Sequence, residues 1–108
     1  MATKHVFVYV TAASAREAQR MGEQLVQEGL AACVNVFPIR SVYRWKEKVE
    51  RAREAVMIVK TRKSLVEAVK RRIRELHSYE LPCIVVFNID EGLKEFLRWI
   101  DESTRASH

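Results

Sequence analysis

Read from its amino-acid sequence, the chain predicts an α+β fold: a ferredoxin-like βαββαβ sandwich with an extended central β-hairpin and an extra C-terminal helix. Three observations carry this. Periodic segments follow the order strand, helix, strand, strand, helix, strand, then a further helix. The sequences Ser14-Ala-Arg-Glu17 and Ser64-Leu-Val-Glu67 have capping-box spacing just ahead of apolar residues at helical intervals. The stretch 30–61, LAACVNVFPIRSVYRWKEKVERAREAVMIVKT, is apolar and β-prone at both ends and charged in the middle. Right-handed βαβ crossovers in that order place both helices on one face of one sheet.

Residues 5–11, HVFVYVT, form the first strand, being β-branched and aromatic. The first helix spans 15–28, with Ala18, Met21, Leu25 and Val26 on its apolar face and Gly29 as its stop. Residues 30–46 and 55–61 are the central strands, with a turn expected at Glu47–Lys48. The second helix opens at Ser64, carries a stripe of Leu65, Val69, Ile73 and Leu76, and closes at His77. The loop 78–82 ends in Pro82, which disfavours helix at the residue before it. Residues 83–89 form a fourth strand, and Asp90 is placed to cap a last helix whose apolar face is Leu93, Phe96, Leu97 and Ile100. The whole chain, 1–108, is one domain with a core of about 5–103 and a tail, 104–108, expected to fray.

The central hairpin is too long for this domain. Extended, residues 30–46 would reach about 55 Å, and 39–46 alone about 26 Å if Pro38 bends the strand. A compact domain of this length is only about 35 Å across. Tyr43 and Trp45 alternate with Val42, Arg44 and Lys46, so the aromatics share one face of a protruding ribbon. An exposed edge with such residues needs cover from another chain. A closed oligomer with Tyr43 and Trp45 at its interface is therefore expected.

Composition excludes several classes. No apolar run approaches the roughly 20 residues of a membrane span, and the first ten residues lack a signal-peptide cleavage pattern, so the expectation is a cytoplasmic protein without a membrane partner. Cys33 and Cys83 stand in apolar runs and read as reduced core thiols. The net charge of +5 raises the question of nucleic acid, but Lys70, Arg71, Arg72 and Arg74 share their helix with Glu67 and Glu75 and read as a solvated face. An RNA-recognition sheet also needs aromatics on its central strand, and EAVMIVK has none. No nucleic-acid partner is expected.

No Gly-rich phosphate loop, HExxH, CxxC or GxSxG occurs, so no enzyme is expected. His77 has two readings: a helix-closing side chain stabilised by free carbonyls and the helix dipole, or a metal ligand with Glu80 three residues on. Tyr43, Trp45, Tyr79 and Trp99 suit packing or an interface better than a ligand box. Lys60 ends a buried-looking strand, where it either snorkels to solvent or lines a cleft.

The segments LAACVN (30–35), SxYxW (41–45), KT (60–61), HxYExP (77–82) and Trp99-Ile100, taken together, resemble the CutA family of divalent-cation tolerance proteins. The resemblance runs from Val6 to Glu102. It implies a homotrimer joined through long hairpins, and association with copper or another divalent metal, with no organic cofactor and no established enzymatic activity. The family pattern HPYExPE is altered here: Ser78 replaces the first proline and Cys83 the final glutamate. Glu47 stands where the hairpin tip usually has glycine, and Val10 where some bacterial members have a cysteine implicated in copper binding. The metal ligand that transfers by matching residues is then His77 alone. A second expectation is a trimeric sensor resembling PII-type regulators, with a small anion in an intersubunit cleft near Lys60, Tyr79, Glu80 and Trp99.

Overall fold

The computed structural model describes residues 4–106. Its elements are β1 (His5–Ala12), α1 (Ala15–Gln27), β2 (Cys33–Trp45), β3 (Lys48–Arg62), a 3-10 turn (Lys63–Leu65), α2 (Val66–Leu76), β4 (Ile84–Asn88) and α3 (Lys94–Glu102). The strands form one antiparallel sheet in the order β2-β3-β1-β4. This is the predicted ferredoxin-like α+β architecture.

Strand alternation sorts the sheet into two faces. Val6, Val8, Val10 and Ala12 on β1 and Ala55, Met57 and Val59 on β3 point into the core, where Ala18, Met21 and Leu25 of α1 and Val69 and Ile73 of α2 meet them. A Cβ added at Gly22 would lie 2.8 Å from Val34 Cγ1, so glycine lets α1 lie close on β2. Gly29 ends α1 at φ +73, the left-handed conformation that favours glycine, and Thr61 Oγ1, fully buried, donates to the Leu30 carbonyl at 2.6 Å.

The opposite face is only partly covered. α3 packs against β3 there, Ile100 is buried, and His5 Nε2 lies 2.9 Å from Asp101. Phe37 and Phe87, 41% and 52% exposed, stay open to solvent with Val85, Phe96 and Trp99. The apolar stripe expected on the last helix is thus mostly unpartnered within one chain: Leu93 is exposed and only Ile100 is fully buried.

β1 stops at Ala12, opposite Ala55, while β2 and β3 continue from Ile39↔Glu54 to Trp45↔Lys48 without a third strand. That two-stranded arm is about 23 Å long and gives the molecule a long axis of 44 Å against 26 and 22 Å. Pro38 does not break the strand. It sits on the sheet edge, where a missing N–H costs no ladder bond.

Several local expectations need correction. The turn is centred on Lys46–Glu47, one residue earlier than expected, with φ of 50 and 69. Both signs match the twist that a two-residue hairpin requires, but neither residue is glycine. Replacing Glu47 with Gly is expected to raise stability by about 0.5–1 kcal/mol, since it removes left-handed strain worth ~1–2 kcal/mol against a smaller entropic loss. The urea midpoint should move up with an unchanged slope. Ser64 does not cap α2: it lies inside the 3-10 turn, and no side chain caps either segment. Asp90 does not cap α3, because the chain stays non-helical to Leu93, which takes the N-cap position three residues further on. β4 begins at Ile84, not at Cys83. The tail is held rather than frayed at its start: Arg105 N donates to Gly29 O at 2.8 Å and Arg62 Nε to Thr104 Oγ1 at 2.8 Å. Residues 107–108 of the expected tail lie outside the described residues.

Candidate functional site at the root of the arm

Where the arm leaves the sheet, β1, β2, β3 and the loop after α2 enclose a cleft of about 820 Å³. Tyr9 and Thr11 line its floor, Ile39, Tyr43, Trp45 and Glu54 its arm side, and Tyr79, Glu80 and Cys83 its far wall. It is mainly apolar, with a few convergent polar groups, as ligand clefts and buried contacts between subunits both are.

Hydrogen bonds fix the far wall. His77 leaves α2 in extended conformation. Its Nε2–H donates to the Thr11 carbonyl at 2.7 Å, and its Nδ1 accepts from the Tyr79 amide at 3.0 Å. The two partners define the neutral Nε2–H tautomer and leave neither ring nitrogen free. The Tyr79 ring lies 4.7 Å from the imidazole, and its hydroxyl donates to Glu54 Oε2 at 2.5 Å. His77 thereby ties the loop to β1, and Tyr79 ties the loop to the arm.

Glu17 completes the support, accepting from the Ala13 and Ser78 amides at 2.9 and 2.8 Å. Partial burial opposes its ionisation, but the Ser78 and Ala13 hydrogen bonds outweigh this and hold its carboxyl below the usual 4.5. The bond from Arg72 lowers Glu28 similarly. A lowered carboxyl stabilises the fold above its unfolded value, so stability should fall as pH drops below 4.5. Tyr79 shifts the other way: burial and then Glu54 raise its phenol above 10.0. That contribution is full below pH 10.0 and is lost as pH rises further, a loss that Tyr79→Phe should abolish in an alkaline denaturation series.

Within one chain, the residues expected at an intersubunit cleft fall in two places. Tyr79 and Glu80 line the cleft at the root of the arm, whereas Lys60 and Trp99 do not. Lys60 lies six residues along β3 from Glu54, about 20 Å away, with its Nζ 5.8 and 5.6 Å from the Phe7 and Phe96 ring centres. Trp99 packs on Phe96 at 5.4 Å. Tyr43 and Trp45 sit on the side of the arm that continues the sheet face opposite α1 and α2, and both are part-exposed. Sequence reasoning missed Glu54 and Thr11. Glu54 stands among other charged residues, and Thr11 takes part through its carbonyl, so neither left a signal.

Among the described residues no three His, Cys, Asp or Glu side chains cluster closely enough to hold an ion, and ligation by His77 would have to displace the Tyr79 amide. Glu80 is exposed. The two cysteines are unbonded.

The fold and site together define a ferredoxin-like domain with a protruding two-stranded arm, an open apolar sheet face and a cleft where they meet. The comparisons with known proteins give it a family. Residues 6–103 match the model of the CutA1 divalent ion tolerance protein family. The chain is 50% identical over 99 residues to the divalent-cation tolerance protein CutA of Archaeoglobus fulgidus, covering 92% of this chain and 97% of that one. It is 39% identical over 101 residues to the chloroplastic CutA of Arabidopsis thaliana, covering 93% of this chain and 56% of that longer relative. Among solved structures, the periplasmic divalent cation tolerance protein CutA of A. fulgidus superposes with a TM-score of 0.90 at 49% identity, over 92% of this chain and 97% of that one. CutA1 of Oryza sativa gives 0.94 at 37% identity, over 97% of each chain. The chain belongs to the CutA1 divalent ion tolerance family.

Proposed function

We propose that this protein is a non-enzymatic homotrimer of the divalent-cation tolerance type, in which neighbouring copies cover the arm and the sheet face opposite α1 and α2. Copper or another divalent metal is then held in the seams between subunits. The carrying observation is the two-stranded arm, whose aromatic face continues the open apolar face of the sheet. An isolated two-stranded ribbon is marginal in water, and identical copies are the simplest cover. Since His77 has both nitrogens bonded, a seam metal would draw its donors from more than one chain, Glu80 being the exposed carboxylate at the cleft. A cytoplasmic location belongs to this proposal and is supported by the unbonded cysteines. Among the described residues no helix is long and apolar enough to cross a membrane.

Sedimentation and calorimetry test the two parts separately. A trimeric wild type that gives a saturable isotherm with copper or zinc supports both. A trimer with no heat of binding removes the metal, and a monomer removes the assembly. An isotherm identical in His77→Ala leaves that residue as a positioning group.

The cleft also favours a second reading, a small-molecule sensor of PII-like design. Nucleotides and carboxylates at about a hundred times their dissociation constant would add ~2.7 kcal/mol of stability. A thermal-shift screen without any response would end that reading.

A further inference from the structure

The arm has a second face, and its composition is unlike the first. In the β2–β3 register Arg40 stands opposite Arg53, Val42 opposite Arg51, and Arg44 opposite Val49. Residues directly opposite point to the same side, so one side of the ribbon carries four arginines and two valines. The arm's carboxylates lie elsewhere: Glu50 and Glu54 pair with Tyr43 and Ile39 on the aromatic side, and Glu47 is in the turn. All four arginines are exposed, and among the described residues none makes an ion pair. Arg40, Arg51 and Arg53 line one shallow surface groove with Val42. Like charges directly opposite destabilise a ribbon, so the Arg40–Arg53 pair costs stability until an anion lies across it.

The basic helix is different. On α2, Lys70 pairs with Glu67 at 3.0 Å, and Arg72 with Glu28 and Glu75 at 2.9 and 3.2 Å. Half of that helix's basic group is thus paired within the chain, while Arg71 and Arg74, like the four guanidinium groups of the arm, have no ion pair among the described residues.

We propose that the arginine face of the arm binds the phosphate backbone of duplex DNA. Guanidinium is the side chain best matched to phosphate, offering paired donors in a fixed plane. Arg40 and Arg44 are about 13 Å apart along β2 at ~3.3 Å per residue, and the groove between them is open, which suits an extended polyanion rather than a compact one. A two-stranded ribbon fits the ~12 Å major groove of B-form DNA, whereas the deep, narrow major groove of duplex RNA excludes it. A membrane surface fits less well: an interfacial element presents large apolar side chains between its cations, and here Tyr43 and Trp45 point the other way. The inference uses the proposed assembly in one respect. A trimer that buries the aromatic side leaves the arginine side in solvent.

The test is fluorescence anisotropy with a labelled DNA duplex of about 20 base pairs at ~50 and ~200 mM salt. Four phosphate contacts predict a log–log salt slope of about −3.6 for each arm, a loss of affinity of roughly a hundredfold across that range. Arg40→Gln with Arg53→Gln should flatten the slope by about 1.8, and the quadruple Gln variant should not bind. Sedimentation of every variant should match the wild type. The proposal is overturned by a wild type that does not bind at low salt, by binding that survives the quadruple substitution, or by capture on phosphatidylserine vesicles instead of DNA with the same arginine dependence. It is also overturned if removing the arginines breaks the oligomer, since a neighbour's carboxylates would then be their partners. A monomeric wild type that binds DNA through these arginines would refute the assembly and support this inference.

Discussion

The proposed trimer should fall apart into monomers when Tyr43 and Trp45 are changed together to Ser. Both rings lie on the arm's aromatic side, where no third strand pairs and both stay part-exposed. Aromatic anchors at the centre of an interface typically cost at least ~2 kcal/mol each when truncated, so losing both should weaken each contact by about a thousandfold. Sedimentation velocity at micromolar concentration reads this directly. Val42→Ser with Val49→Ser is the control, since those exposed apolar residues occupy the other side of the same ribbon and should leave the assembly intact. Equal dissociation by both pairs would mean that the arm is merely unfolding.

His77→Ala should be the most damaging single substitution outside the hydrophobic core. It strands the Thr11 carbonyl and the Tyr79 amide together, and each part-buried polar group left unpaired costs ~1–3 kcal/mol. A combined loss of about 3 kcal/mol lowers the melting temperature by more than 10 °C in a domain of this size. The loss should be equally large with a chelator present, because it comes from hydrogen bonds within one chain. If chelation alone reproduced it in the wild type, His77 would be acting through a metal.

The order of elements, the hairpin's length and the buried helix faces were legible in sequence because each rests on a local period or on simple reach. Ser14 was legible for the same reason: its hydroxyl accepts from the Glu17 amide at 3.1 Å, as the spacing predicts. Ser64 has the same pattern and fails, because the Lys63 amide donates to the Lys4 carbonyl at 2.8 Å, and the chain enters a tight 3-10 turn with Ser64 already inside it. Asp90 fails through distance along the chain. The site was less legible still. His77 was visible as a helix terminator, but its partner Thr11 is 66 residues away. The cleft grouping joined Lys60 to Tyr79, and within one chain Lys60 stands six residues along β3 from Glu54, the residue that Tyr79 bonds. The arginine face could not be seen at all without cross-strand pairing, since Arg40 and Arg53 are separated in sequence by the whole turn.

The pinned start of the C-terminal segment sets a practical polarity. Thr104 and Arg105 are fastened to Arg62 and Gly29, and Arg62 ends β3 at the opposite end from the Lys46–Glu47 turn. A fluorophore, affinity handle or surface linker joined beyond Arg105 would therefore hang from the blunt end. Tethered that way, the protein could be immobilised on a sensor with its ribbon still free to meet whatever is flowed past it.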